Sequence, residues 1–314
     1  MRDLDRFRGC LIGGAAGDAL GYAVGFLHEN RIFSRYGEKG ITEYDLQDGV
    51  GEISDDTQMT LFTAAGLLSA ATRNRLDGKT EPFAEYIRRS YLDWKRTQVE
   101  GYPLKSGPRY SWLTGVQGLF DRRAPGNTCM SAMGDGGRGT VERPVNRSKG
   151  CGGVMRVAPV GLYFNDRGTD VREIAYIGAQ AAAITHGHEI SMQACVIYVH
   201  VARRLLAGET IREIIPTLKF AKPFDRLDKI DQLSEEKISS GGFVVHTLEA
   251  SLWVLAKYDS FKDTVLAAVN LGDDTDTTGA VAGGLAGIVY GLESDFAKEC
   301  MEVLRSKEMI AECL

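Results

Sequence analysis

Hydrophobic positions in this 314-residue chain recur at intervals of three and four residues far more often than at intervals of two. That spacing lays one face of an α-helix against a core. Near the start, Phe7, Cys10, Leu11, Ala15 and Ala19 share a face, predicting a helix of small residues that ends near Gly21 or Gly25. Met59, Leu61, Phe62, Ala65, Leu68 and Ala71 form a second stripe over 55–72. The same period predicts helices at about 81–97, 153–164, 170–185, 189–207, 210–219, 242–257, 260–270, 275–290 and 294–306. Strand-like alternation is best at 242–246 (GFVVH), which is too short to build a sheet. The expectation is an all-α protein, a compact single-domain helical bundle over 1–314. Two segments fall outside the pattern. Residues 121–152 carry many glycines and arginines without periodicity, and a loop that long in a compact domain is usually functional or mobile. Residues 222–240 are strongly charged and are expected to face solvent.

Composition narrows the function classes. Hydrophobic residues at 44% and charged residues at 25% are ordinary for a soluble globular protein. A net charge of −5 offers no global positive field, so neither nucleic acid nor an anionic membrane is an expected partner. Nowhere do about 18 apolar residues run together, so no membrane span is expected. The first residues carry charge up to Arg8 with no uninterrupted apolar run behind them, which argues against a signal peptide. The six cysteines lie scattered, without a CxxC pair, as in a protein of a reducing compartment. A cytoplasmic monomer is the expectation.

Two acidic phrases carry the chemistry. In ISDDTQM (53–59), Ser54 is a good N-cap, with Asp55 and Asp56 in the first turn. Acids there also complement the helix dipole, worth about 0.3–1 kcal/mol each, and that reading suffices for an isolated phrase. In GDDTDTTG (272–279), Asp273, Asp274 and Asp276 crowd into four positions, with Thr275, Thr277 and Thr278 among and behind them. Dipole capping accounts for one or two of these acids, not three. Like charges so close repel unless a cation or proton intervenes. All the donors are hard oxygens, which suits Mg²⁺ or Mn²⁺ and argues against zinc or copper. Five carboxylates exceed the need of one octahedral ion, which makes two ions plausible, although spacing alone is silent on how the two helices pack.

Three further phrases are less specific. KGCGGVMRVAPVGL (149–162) sets Gly150, Gly152 and Gly153 before an apolar helix. Exposed N–H groups at such a start grip phosphate, yet simple backbone tolerance is the commoner reason for glycine there. THGHE (185–189) puts His186 and His188 between two helices, where a histidine is usually structural. GGAAGDALGYAVG (13–25) lacks the preceding strand of a dinucleotide fingerprint. Its glycines read as close helix packing, with Asp18 a buried or capping acid whose role stays open.

Taken in order, GDALG (17–21), ISDDTQM (53–59), GCGGVMRVAPVGL (150–162), ITHGHE (184–189) and GDDTDTTGAVAGGLAG (272–287) span almost the whole chain. Together they strongly resemble the ADP-ribosylglycohydrolase family, which includes dinitrogenase-reductase-activating glycohydrolase and the ADP-ribosylarginine hydrolases. The resemblance implies an all-α domain with a central binuclear Mg²⁺ or Mn²⁺ site. It implies Ser54, Asp55, Asp56, Asp274, Asp276 and Thr277 as metal ligands, and hydrolysis of the bond linking ADP-ribose to a modified side chain of a protein partner. Gly150, Cys151, Gly152 and Gly153 would receive the diphosphate, and His186 would face the ADP-ribose. Asp55 or Asp56 would handle the proton of the attacking water. The 121–149 loop would wall the pocket, with Arg138, Arg143, Arg147 and Lys149 as candidate positive charges.

Three positions depart from the family pattern. Gly25 stands where many members have an acid, with Glu29 nearby as a substitute. Cys151 stands in a turn that often reads Gly-Asn-Gly, and Asp273 replaces a glycine. The first two look like the animal ADP-ribosylarginine hydrolases. Arginine adducts are therefore the expected substrate. Serine, nucleobase and small-molecule adducts remain as alternatives, as does a non-catalytic ADP-ribose-binding protein.

Overall fold

The structure, a computed structural model, describes residues 4–304 apart from 79 and 166. In chain order its helices are α1 (Leu4–Tyr22), α2 (Glu29–Tyr36), α3 (Asp55–Asp77), α4 (Phe83–Val99), α5 (Asn127–Gly134), α6 (Ala158–Tyr163) and α7 (Val171–Ala183). After these come α8 (Glu189–Leu206), α9 (Ile211–Ile214), α10 (Val244–Lys257), α11 (Phe261–Asn270), α12 (Thr275–Tyr290) and α13 (Asp295–Val303). Isolated β-bridges occur, among them Gly150 with Phe243, but no strand is formed among the described residues. The fold is all-α, as the periodicity predicts.

Small residues join the chain's two ends. Gly9, Gly13, Gly17 and Gly21 recur every four residues and so share one face of α1. They meet Gly287, Gly283, Gly279 and Thr275 of α12 in reverse order, so the two helices run antiparallel, backbone on backbone. A Cβ on Gly13 would lie 2.6 Å from the Gly283 carbonyl oxygen. No larger side chain fits this seam. Thr275 Oγ1 also donates to the Gly21 carbonyl at 2.7 Å, which pins the start of α12 to the end of α1.

Local signals set most helix ends. Ser54 Oγ accepts from the Asp56 N–H at the start of α3, and Gly78, at φ 62°, lies in the left-handed region that ends it. Asp170, His188 and Ser260 cap α7, α8 and α11 in the same way.

Several expectations need correction. The helix expected at 153–164 is a 3₁₀ turn, Cys151–Arg156, followed by the short α6. Pro159 sits in the first turn of α6, and its missing N–H breaks the preceding helix. The helix expected at 210–219 stops at Ile214, where Pro216 forces a 3₁₀ turn. GFVVH makes one bridge and is helical from Val244. The irregular 121–152 segment contains α5, which buries Cys129, Ala132 and Met133. The charged 222–240 segment does not simply face solvent, because Phe224, Leu227 and Ile230 are fully buried. The pattern does not announce α2. Its only fully buried side chain is Ile32, too little to show a stripe. The last two positions of the helix expected at 294–306, and Cys313, lie outside the described residues.

Candidate functional site

Asp18 organises the centre. On α1 it is fully buried and accepts from the Ser54 N–H at 3.0 Å, the Thr57 N–H at 3.1 Å and Thr57 Oγ1 at 2.5 Å. It thus caps the first turn of α3 from another helix and fixes where Asp55 and Asp56 stand. Asp55 is anchored by its own N–H to the Arg123 carbonyl at 2.9 Å, while its Oδ2 accepts from the Gly126 N–H at 3.0 Å. Asp56 Oδ2 accepts from Ser54 Oγ at 3.2 Å. Across the seam, the Asp274 N–H donates to the Ser240 carbonyl at 3.1 Å, and the Thr277 N–H donates to Asp276 Oδ1 at 3.0 Å. Ser54, Asp55, Asp56, Asp274, Asp276 and Thr277 are all buried. The two acidic helix starts, more than two hundred residues apart in sequence, are brought to one place.

Their electrostatics follow from that crowding. Burial pushes Asp18 up to about 6, against the opposing pull of its bonds to Thr57 and Ser54. Burial pushes Asp55 up to about 7, opposed by the Gly126 N–H and reinforced by Asp18. Asp56 is held well above the carboxylate range by burial and then by Asp276, Asp18, Asp55 and Asp274. Asp276 is raised likewise, by burial and then by Asp274 and Asp18. Buried like charges of this density call for protons or cations.

The donor set fits a hard divalent cation, and Asp56 Oδ1 is buried without a hydrogen-bond partner, as an oxygen reserved for a ligand would be. The side chains do not form a finished coordination sphere. Among the described residues, no three Asp, Glu, His or Cys groups are arranged to hold one ion.

The glycine turn lies against this centre. Cys151 Sγ approaches Asp274 Oδ2 at 3.0 Å and Thr277 Oγ1 at 3.7 Å. Two of its backbone donors are already used: the Cys151 N–H bonds the Gly242 carbonyl at 3.0 Å, and the Gly150 N–H reaches Ser148 Oγ at 3.4 Å. Gly152 is glycine because a Cβ would lie 2.6 Å from His186 Cε1. His186 is buried beneath the turn, its Nδ1 2.8 Å from Thr185 Oγ1.

Other candidates fall elsewhere. Asp273, at φ 59°, turns outward and pairs with the exposed His28 at 2.5 Å, so it faces solvent rather than the centre. Glu29 is exposed in the first turn of α2. Arg138, Arg143, Arg147 and Lys149 are exposed, and Arg138 lines a cleft of about 760 Å³ with Phe83, Arg88, Tyr176 and Gln180. That cleft contains none of the aspartates of the buried centre, and the chemistry locates the site away from it. Sequence reasoning passed over Gly126, Arg156 and Thr185, because the bonds of Gly126 to Asp55 and of Arg156 to Thr185 join residues far apart in the chain.

An all-α fold with a buried carboxylate centre between two helix starts defines a class of acidic, cation-suited sites. The sequence model of ADP-ribosylglycohydrolase matches residues 1–313, and the chain belongs to that family of glycosidic-bond hydrolases. It is 29% identical to ADP-ribosylarginine hydrolase Tri1 of Serratia proteamaculans (strain 568), over 98% of this chain and 77% of that protein. It is 28% identical to ADP-ribosyl-[dinitrogen reductase] glycohydrolase of Rhodospirillum rubrum, over 92% of this chain and 87% of that one. A solved structure described as an ADP-ribosylglycohydrolase-related protein complex superposes with TM-score 0.66 at 24% identity, covering 99% and 96% of the two chains. Among the described residues, no helix is long and apolar enough to cross a membrane.

Proposed function

We infer that this protein hydrolyses the glycosidic bond between ADP-ribose and a modified arginine side chain, reversing mono-ADP-ribosylation of a protein partner. The observation that carries the reading is the burial of Asp55, Asp56, Asp274 and Asp276 around one point. The name of the Serratia proteamaculans relative supports arginine as the modified residue, and that of the Rhodospirillum rubrum relative supports a protein partner. Ser54, Asp55, Asp56, Asp274, Asp276 and Thr277 would hold two Mg²⁺ ions, or Mn²⁺. Bound divalent ions would supply Lewis acidity and a water of lowered pKa. The protein's own groups do the rest. Asp55 or Asp56 takes a proton from the attacking water as its oxygen bonds to C1″ of the ribose. The carboxylates offset positive charge developing at that carbon while the C–N bond to the arginine breaks. The leaving guanidine regains a proton and departs as guanidinium. Gly150, Cys151, Gly152, Gly153 and His186 line the side where the diphosphate and ribose lie. The five free thiols of the described residues support a reducing, cytoplasmic setting, where the protein acts as a monomer.

The test is release of ADP-ribose from ADP-ribosylated arginine and serine peptides, with and without Mg²⁺. Arginine peptide should turn over in Mg²⁺, and chelator should stop it. Asp55→Ala or Asp56→Ala should cost about 10²–10⁴-fold. Release that survives both chelator and substitution removes the reading. Preference for serine peptide moves the substrate to another adduct, and ADP-ribose binding without turnover marks a binding protein.

A further inference from the structure

Arg156 lies wholly inside the protein, its guanidinium stacked over the Tyr91 ring at 4.4 Å. Its Nη2 donates to the Ala181 carbonyl at 3.1 Å and to Thr185 Oγ1 at 2.7 Å. Its Nη1 meets the sulfurs of Met59 and Cys129, each at 3.3 Å. A guanidinium has donors only. Thr185 Oγ1 is therefore the acceptor toward Arg156, and its one hydroxyl hydrogen is left for a second neighbour. That neighbour is His186 Nδ1, at 2.8 Å. The Cys129 sulfur also lies beside the hydroxyl, but it is a weaker acceptor than an imidazole nitrogen. With the hydroxyl hydrogen given to the stronger acceptor, the ring accepts at Nδ1 and carries its hydrogen on Nε2.

The Nε2 edge faces the glycine turn, where a Cβ on Gly150 would lie 3.3 Å from Nε2. Burial, and then the Arg156 charge, push the imidazole down to about 3, so the ring is neutral at physiological pH. With its hydrogen on Nδ1 instead, the ring would turn a lone pair toward the turn and could not donate to an acceptor oxygen there.

We propose that Arg156 and Thr185 are positioning residues that hold His186 as its neutral Nε2–H tautomer, a fixed hydrogen-bond donor at the glycine turn for an oxygen of the bound ADP-ribose. Only the identity of that ligand rests on the function proposed above.

Long-range ¹H–¹⁵N correlation spectra of the ligand-free, ¹⁵N-labelled protein test this directly. His186 is identified by the signals lost in His186→Gln. The expected result is an Nε2-protonated ring, unchanged between about pH 6 and pH 8. An Nδ1-protonated or doubly protonated ring overturns the proposal. Thr185→Val keeps the shape and removes the hydroxyl. It should give a tautomer mixture and about tenfold weaker ADP-ribose binding in Mg²⁺ by calorimetry, with both restored in Thr185→Ser. A Thr185→Val protein that keeps a pure Nε2–H ring overturns the proposal as well. If that variant fails to fold, the wild-type spectrum decides alone. An Nε2–H ring in a protein that binds no ADP-ribose would sink the ADP-ribose reading and, with it, the ligand named here, while leaving the tautomer assignment standing.

Discussion

Replacing Gly17 by alanine tests whether the α1–α12 seam holds the acidic centre together. A Cβ there would lie 2.5 Å from the Gly279 carbonyl carbon and closer still to its oxygen, whereas ordinary contact begins at 3.4 Å. The obstacle is backbone, which cannot rotate aside as a side chain can. The two helices must part by at least about 0.9 Å, the difference between those two distances, and by more to clear the oxygen. Overpacking of this kind costs about 1–3 kcal/mol, and a rigid backbone places it at the upper end. At about 2 °C per kcal/mol for a chain of this size, thermal melting should fall by about 6 °C. Activity should fall further, because the seam carries Asp18 on one helix and Asp274 and Asp276 at the start of the other. A displacement of about 1 Å in catalytic geometry costs on the order of 10²-fold. Gly161→Ala is the control. Its Cβ would make an ordinary contact at 3.5 Å from the Ala202 Cβ, and it gains helix propensity, so melting and activity should hold or improve. A Gly17→Ala protein that melts within about 1 °C of wild type with full turnover would refute the seam argument.

Asp18→Asn should destabilise by about 1–3 kcal/mol in urea titrations, because the amide oxygen can still accept from Thr57 but its NH₂ then faces the Ser54 N–H, and a charged acceptor is lost. An unchanged midpoint would deny Asp18 its capping role. Asp273→Gly should keep full activity and melt no lower than wild type, since glycine relieves the positive φ and the carboxylate faces solvent. Asp274→Ala in the same turnover assay should abolish activity; equal behaviour of the two variants would contradict the assignment. In chelator, melting temperature should drop as pH rises from about 6.5 to 8, and Mg²⁺ should reduce the drop. The sign follows from Asp18 at about 6 and Asp55 at about 7, with Asp56 and Asp276 also raised. Their stabilisation is complete below the ordinary Asp pKa and is lost as the folded carboxyls release protons. His186, pushed down to about 3, and His200 and His246, also lowered by burial, act in the opposite sense. They do so until unfolded imidazole has lost its proton by about pH 7.5, which moderates the start of the drop. A chelated protein of flat or rising stability across that window would count against a cation-dependent centre.

Much of the fold was legible in the chain because helices are local. The 275–290 helix, the Ser54 cap and the stripe from Met59 to Ala65 depend on neighbours three or four positions away, whereas Leu68, expected in that stripe, is exposed and Leu67 is buried instead. Local reading failed where a proline interrupted a convincing stripe, as at Pro159 and Pro216, and where a charged segment hid a few buried side chains, as around Phe224 and Leu227.

The amino-acid sequence by itself determined the all-α class, the two acidic helix starts and the hard-oxygen character of their donors, since these follow from residue type and short-range periodicity. Only the tertiary structure decided which acids share the centre. Asp273 and Asp274 are adjacent in sequence, yet a left-handed residue sends the first to solvent and the second inward beside Cys151. It likewise decided that Asp18 caps α3 and that Arg156 reaches His186 through Thr185. Apart from the adjacent Thr185 and His186, these contacts join residues tens to hundreds of positions apart. The packing of small residues between helices creates them, and no local pattern encodes that geometry.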